Sequence, residues 1–236
     1  MQKEKLIEIK KGQEGHGLLI EHDGYISADC GDNKKLFEDI NSHESKDFFC
    51  PNPFVVSAVF QKFGIQNANG RIYPEHILKK EVENYQQKIA ERRAIGECNH
   101  PSETVIDLSR VAINIVELHW EGRTLVGKME ILVSEGYRRH GIISCEGDQV
   151  AHLLLSGIKI GVSSRGMGTV TNKMGVLYVG DDFELVCWDV VSDPSTPGAW
   201  ISDEEATLQQ YVESKDNTNK NQLFEELDKF NDWLND

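Results

Sequence analysis

Three features of the sequence predict an α+β fold made mainly of antiparallel strands. Short β-branched and aromatic runs recur between turn residues, as in Phe54-Val55-Val56-Ser57-Ala58-Val59-Phe60. Two pairs of such runs are separated by only a few residues, one pair around His119-Trp120-Glu121-Gly122 and the other around Gly180-Asp181-Asp182. Connections that short join antiparallel neighbours. Inside this region only two segments carry a helical repeat, one through Leu78, Val82, Tyr85 and Ile89 and one through Val150, Leu153 and Leu154.

Taken in order, residues 1–50 are polar and punctuated by glycine, and read as an N-terminal arm, a candidate for processing, with one short strand over 17–21. A strand over 54–60 follows. Gln66-Asn67-Ala68-Asn69-Gly70-Arg71 is a turn, because Asn-Gly tolerates positive φ. Pro74 opens a helix, where its missing N–H costs nothing. That helix should end near Arg92 or Arg93, with Lys79, Lys80, Glu81 and Glu83 facing out. Pro101 holds His100 in an extended backbone at a loop mouth. Runs at 111–118 and 123–133 form a hairpin. Residues 134–147 read as a polar loop, and Asp148 caps a helix over 149–156 that Gly157 stops. Ile158, Ile160 and Val162 begin a β-like alternation that passes into Ser163-Ser164-Arg165-Gly166-Met167-Gly168. Strands over 176–179 and 183–191 end the β-rich region at the loop 192–198. Residues 201–236 are acidic and form an amphipathic helical tail. The core between arm and tail is 51–200.

Composition narrows the function. The chain has 236 residues, 39% of them hydrophobic, which suits one medium domain with some chain outside its core. Against 25 Lys and Arg stand 39 Asp and Glu, giving a net charge of −14. Nucleic acid phosphates and anionic membrane surfaces repel such a protein. Five scattered cysteines without a C-x-x-C pair read as reduced thiols rather than a disulfide framework or a zinc knuckle. No signal peptide and no apolar run of membrane-spanning length is present. No metal or other cofactor is expected.

Ser163, His100 and Asp189 form a candidate acyl-transfer set. Serine is a poor nucleophile until a base takes its proton, and that base works best when an acid fixes its tautomer. Strand parity favours Ser163 over its neighbour. With Val162 in the core, Ser164 points in beneath the nucleophile, and Ser163 points out with Arg165. On that outward face Arg165 suits a developing oxyanion or an acidic substrate side chain, and the segment Ser164, Arg165, Gly166 is the expected oxyanion and substrate-binding stretch. Asp189 lies in the apolar run Leu185-Val186-Cys187-Trp188-Asp189-Val190-Val191, where a carboxylate needs a partner or an exposed edge.

Four ordered blocks carry a family resemblance: Asn69-Gly70-Arg71-Ile72-Tyr73-Pro74, Gly96-Glu97-Cys98-Asn99-His100-Pro101, Gly161-Val162-Ser163-Ser164-Arg165-Gly166 and Asp193-Pro194-Ser195. From about Val55 to Trp200 the chain resembles the prohead core proteases of T-even-like tailed phages. That family is similar in turn to the herpesvirus maturation protease. The resemblance implies an antiparallel β-barrel surrounded by helices, with His100 as the catalytic histidine and Ser163 as the nucleophile. The herpesvirus enzymes use a second histidine after the nucleophile, and this chain offers Asp189 there instead. Cys98 stands where an aliphatic residue is expected. The resemblance also implies a serine endopeptidase inside the immature phage capsid, in the host cytoplasm. It would cut scaffold and core proteins, arms of the major capsid protein, and itself. Cleavage after Glu near an aliphatic residue would make Leu19-Ile20-Glu21 and Leu223-Phe224-Glu225 candidate self-cleavage sites. Self-association is a further candidate.

Two other readings stand beside this one. An inactive protease fold serving as a scaffold or capsid-binding module would suit the acidic tail. A metal hydrolase using His100, His119 or His140 would lack the helical His-x-x-x-His spacing.

Overall fold

The computed structural model describes residues 7–20, 24–26, 33, 50–101 and 103–192. These form, in order, β1 (Gly15–Ile20), β2 (Gly24–Ile26), β3 (Val55–Lys62), β4 (Arg71–Ile72), α1 (Glu75–Ala90), β5 (Ile95–Glu97), β6 (Val111–Glu121), β7 (Thr124–Ile131), α2 (Glu135–His140), α3 (Glu146–Leu155), β8 (Gly161–Lys173), β9 (Val176–Val179) and β10 (Glu184–Val191). All ten strands belong to one sheet, ordered β4-β9-β8-β2-β3-β7-β6-β5, with β1 and β10 also paired to β8. Every pairing is antiparallel except β4 with β9. The architecture is mixed α+β, and no described helix is long and apolar enough to cross a membrane.

Among the described residues the sheet is not closed into the barrel that the resemblance implied. The ladder stops between β10 and β5, where one parallel bridge, Cys98 to Val190, stands in for paired strands. The reason is local. Strand β5 is three residues long, and Asn99 at φ 65° turns the chain out of the sheet.

Strand β8 is the hub. Along one edge it carries β10 over 161–167 and β9 over 170–173. Along the other it carries β2 at Gly161 and Val162 and β1 over 165–170. Its glycines make room for Phe183: a Cβ on Gly166 would lie 2.5 Å from the Phe183 ring, and one on Gly168 would lie 2.9 Å from the Phe183 Cα. The strand begins at Gly161, later than the alternation suggested, and Ile158 is half exposed.

Where it is described, the N-terminal arm is part of this sheet. Leu18 and Leu19 are buried in β1. The first of the four sequence blocks clasps it: the Arg71 guanidinium donates to the Ile9 carbonyl, and Asn69 Nδ2 donates to the Ile20 carbonyl at 3.0 Å. Leu19 and Ile20 are therefore poor protease substrates in the folded chain, since cleavage needs an accessible extended segment. Glu21, Asp193-Pro194-Ser195, the rest of the loop to Gly198, and the tail at 201–236 with Leu223-Phe224-Glu225 lie outside the described residues.

Helix α1 buries Ile77, Leu78, Val82 and Tyr85 against the sheet, with Pro74 as its N-cap. The Tyr85 ring meets Trp188 edge-on at 4.9 Å, and Phe60 meets the same indole at 5.5 Å. Burial of each such side chain contributes roughly 1.5–3 kcal/mol. Glu81, expected outside, is buried and accepts the Leu185 N–H at 2.9 Å. The β6–β7 hairpin turns on Gly122 (φ 56°) and Arg123, so β6 runs further than the sequence suggested, to Glu121, while β7 is shorter than the expected run and ends at Ile131. The expected loop at 134–147 contains α2, closed by the Ser134 hydroxyl at its start and by Gly141 (φ 67°) at its end. Asp148 lies inside α3 rather than ahead of it. It forms a capping box with Cys145 and accepts from Ser134 and Ser144, backbone and hydroxyl alike. These hydrogen bonds overcome its burial and hold its carboxyl down at about 2.

Candidate active site

Strand β5 ends on Glu97, and the next residues carry the chain across to β10. The Cys98 N–H donates to the Arg110 carbonyl at 3.0 Å, and the Asn99 N–H donates to the Val190 carbonyl at 2.8 Å. Asparagine tolerates the left-handed conformation this turn needs. The turn delivers His100 onto the face of β8 and β10 where Ser163 and Asp189 stand directly opposite each other in the antiparallel register. Directly opposed residues project from the same face of a sheet. The imidazole joins them: Nδ1 lies 2.8 Å from Asp189 Oδ2, and Nε2 is hydrogen-bonded to the Ser163 hydroxyl. The His100 side chain is 8% exposed and that of Asp189 is fully buried.

The Asp189 carboxylate is fully partnered. Oδ1 accepts the Glu97 N–H at 2.9 Å and Arg165 Nη2 at 3.2 Å, and takes the Cys187 thiol at 3.3 Å. Oδ2 faces Arg165 Nε at 2.9 Å as well as the imidazole. Arg165 in turn donates to the Glu103 carbonyl at 2.6 Å and to Glu97 Oε1 at 3.2 Å. Burial works against its charge, but the Cys187 sulfur and the Asp189 and Glu97 carboxylates outweigh that, and the guanidinium is held above its ordinary value. Burial, reinforced by the Asp189 charge, pushes the Cys187 thiol well up, so it stays neutral.

The structure brings Ser163, His100 and Asp189 into one cluster and alters the expected surroundings. Parity holds: Val162 and Ser164 pair with Val190 and Trp188, while Ser163 and Arg165 share the face of Asp189 and Cys187. That face is a second buried layer rather than open surface, and Ser163 and Arg165 are both fully buried. Arg165 is committed to two carboxylates and a carbonyl, so it is not free to meet an oxyanion or an acidic substrate side chain. Gly166 packs under Phe183, and Ser164 lies across from Trp188. Ser164, Arg165 and Gly166 are all buried.

Cys98 is part-buried. Burial first, then the neighbouring Glu146 carboxylate, raise its thiol above the ordinary value, which disfavours the reactive thiolate. His119 stands between Glu117 and Glu121 on β6, at 3.2 and 3.4 Å. Among the described residues no group of three His, Cys, Asp or Glu side chains is arranged to hold a metal ion. Sequence reasoning missed Glu97 and Cys187. Glu97 carried a signal, an acid between Gly96 and Cys98 only three residues before the histidine.

Comparison with known proteins shows the family. The family described as prohead core protein serine protease matches residues 18–211, from within β1 to beyond β10. The prohead core protein protease of Enterobacteria phage T4 is 33% identical over 178 residues, 74% of this chain and 80% of that protein. The solved structure of the bacteriophage T4 capsid assembly protease superimposes with a TM-score of 0.58 at 25% identity, covering 74% of this chain and 96% of that one. On the length of these matches, the chain belongs to the prohead core protein serine protease family, whose members hydrolyse peptide bonds.

Proposed function

We propose that Ser163, His100 and Asp189 are the catalytic triad of an endopeptidase that works inside the prohead. The observation that carries this reading is the single imidazole bonded to hydroxyl on one side and carboxylate on the other. In the reaction, His100 Nε2 takes the Ser163 proton as Oγ attacks the scissile carbonyl. The same nitrogen then gives that proton to the leaving amine, and water, activated in the same way, releases the acyl group. Asp189 keeps the proton on Nδ1, so that Nε2 is free to act as base. Arg165 and the Glu97 N–H hold Asp189 in place, a positioning role rather than an oxyanion role.

The substrates on this reading are the internal scaffold and core proteins, the arms of the major capsid protein, and the chain itself. All are met inside the prohead, assembled in the host cytoplasm. The match to prohead core proteases supports the setting. Cleavage after Glu beside an aliphatic residue, implied by the family resemblance, leaves Leu223-Phe224-Glu225 as the better self-cleavage candidate, because Leu19 and Ile20 are buried in β1. The protease unit is taken as 51–200 with β1 built into its sheet. The test is incubation with the scaffold protein. Ser163→Ala should melt like the parent and leave the scaffold intact, and a fluorophosphonate should label the parent at Ser163 alone. Scaffold cleavage by the folded variant would overturn the assignment.

A further inference from the structure

We propose that Glu97 is a positioning residue for the reaction, acting through Arg165 and Asp189 as the counter-charge for the imidazolium that forms on His100. The inference rests on the triad reading above. Its ground is the charge count of a buried cluster. Glu97, Asp189 and Arg165 are all without solvent exposure. Two carboxylates face one guanidinium, which lies 3.2 Å from Glu97 Oε1 and 2.9 Å from Asp189 Oδ2. The second Glu97 oxygen, Oε2, accepts no hydrogen bond among the described residues, and Arg110 Nε stands 3.8 Å away on a part-exposed side chain.

Burying an excess negative charge is costly unless something offsets it. Counted over its fully buried groups, and with His100 neutral, the cluster carries one negative charge in excess; the Arg110 guanidinium that faces Oε2 at 3.8 Å is 38% exposed, so solvent screens it. When the Ser163 proton reaches His100 the excess vanishes. The cluster is therefore better matched to the charge-separated state than to the resting one, which is how preorganised charge lowers a barrier. A neutral residue at 97 would leave Arg165 and Asp189 as a balanced pair, with nothing over for the imidazolium.

Glu97 also ties the histidine segment to the strand that carries the acid. Its N–H donates to Asp189 at 2.9 Å, and its Oε1 accepts the Asp107 N–H at 2.7 Å, from the chain beyond His100. The other titratable groups around the cluster do not supply this charge. Cys187 on β10 and Tyr85 on α1 are both pushed up chiefly by burial and stay neutral. So does Cys98, against which Glu146 of α3 stands. Lys88 on α1 donates to the Val186 carbonyl at 3.0 Å.

The experiment compares the pH profile of kcat/KM on a scaffold peptide for the parent, Glu97→Gln and Glu97→Asp, with fluorophosphonate labelling of each. Glu97→Gln should lower the plateau at least tenfold and move the acidic limb down by about one pH unit. That shift is the size expected for one charge roughly 10 Å away at an effective dielectric near 20. Glu97→Asp keeps the charge, so its limb should stay at the parent position while turnover falls through the shortened reach. A merely structural role would lower activity at every pH without moving the limb, and that result for Glu97→Gln overturns the proposal. If Glu97→Gln fails to fold, Glu97→Asp decides: a limb displaced by half a unit or more overturns the proposal. A parent that cannot be labelled at Ser163 defeats the triad reading itself, whereas labelling with an unmoved limb defeats only the role of Glu97.

Discussion

Gly96→Ala tests whether the gap between β5 and β10 sets the catalytic geometry. A Cβ at position 96 would lie 2.0 Å from the Trp188 carbonyl oxygen and 3.0 and 3.1 Å from Ile113 side-chain carbons. The first neighbour is backbone of the strand carrying Asp189, so no side-chain rotation relieves it. A carbon and an oxygen not bonded to each other need roughly 3.2 Å, so β5 and β10 must part by about 1 Å. Three contacts cross that gap at 2.8–2.9 Å: Glu97 N to Asp189, Asn99 N to the Val190 carbonyl, and His100 Nδ1 to Asp189. Lengthened by about 1 Å, all three pass the limit of a useful hydrogen bond. A displacement of that size at a catalytic group costs about 10²-fold in rate. Overpacking of this kind costs typically 1–3 kcal/mol of stability, so the variant should melt a few degrees lower and remain folded. The assay is kcat/KM on a scaffold peptide beside a thermal melt. Gly136→Ala serves as the control, because a Cβ there meets only Ser134 Oγ at 3.8 Å. Parent-like activity in Gly96→Ala with an unchanged melt would show that the seam does not set the geometry.

Two further outcomes are expected. The Asp148 carboxyl sits at about 2 against an ordinary 3.8, a difference equivalent to about 2 kcal/mol of stability. Because the folded value is the lower one, that stability is present above pH ~4 and is lost as the pH falls toward 2. Asp148→Asn should thus be destabilised by about 2 kcal/mol at pH 7 and approach the parent near pH 2, read from urea midpoints across pH; a constant difference would refute the linkage. Removal of residues 1–20 should abolish scaffold cleavage, because it strips β1 from β8 and uncovers the apolar surface under Leu18 and Leu19. Addition of a synthetic 7–20 peptide should restore part of it, and an undiminished truncated enzyme would refute the role of β1.

Much of the site was legible in the sequence because a strand alternates. Given Val162 in the core, Ser163 had to share a face with Arg165, and Asp189 stood out as a carboxylate in an apolar run that needed a partner or an exposed edge. The destination of that face was not legible. Strand parity says which way a side chain points but not what covers it, so Arg165 read as a surface group when it is the cation of a buried cluster. Helix α2 escaped because Glu135-Gly136-Tyr137-Arg138-Arg139-His140 is too short to show a helical repeat. Its caps and the buried Tyr137 hold it, not its propensity. The barrel was inherited from likeness rather than read from residues. Nothing in Ile95-Gly96-Glu97 announces that the strand stops after three residues.

The order of strands along β8 has a consequence for synthesis. β10 is the last strand described, and it brings Asp189 to a hydroxyl and an imidazole that have already left the ribosome. Until it is laid down, the ring has no carboxylate to fix its tautomer. On the triad proposed above, a half-made polypeptide therefore carries two of the three groups and no working centre, and the hydrolytic machinery comes into being only once β10 is in place.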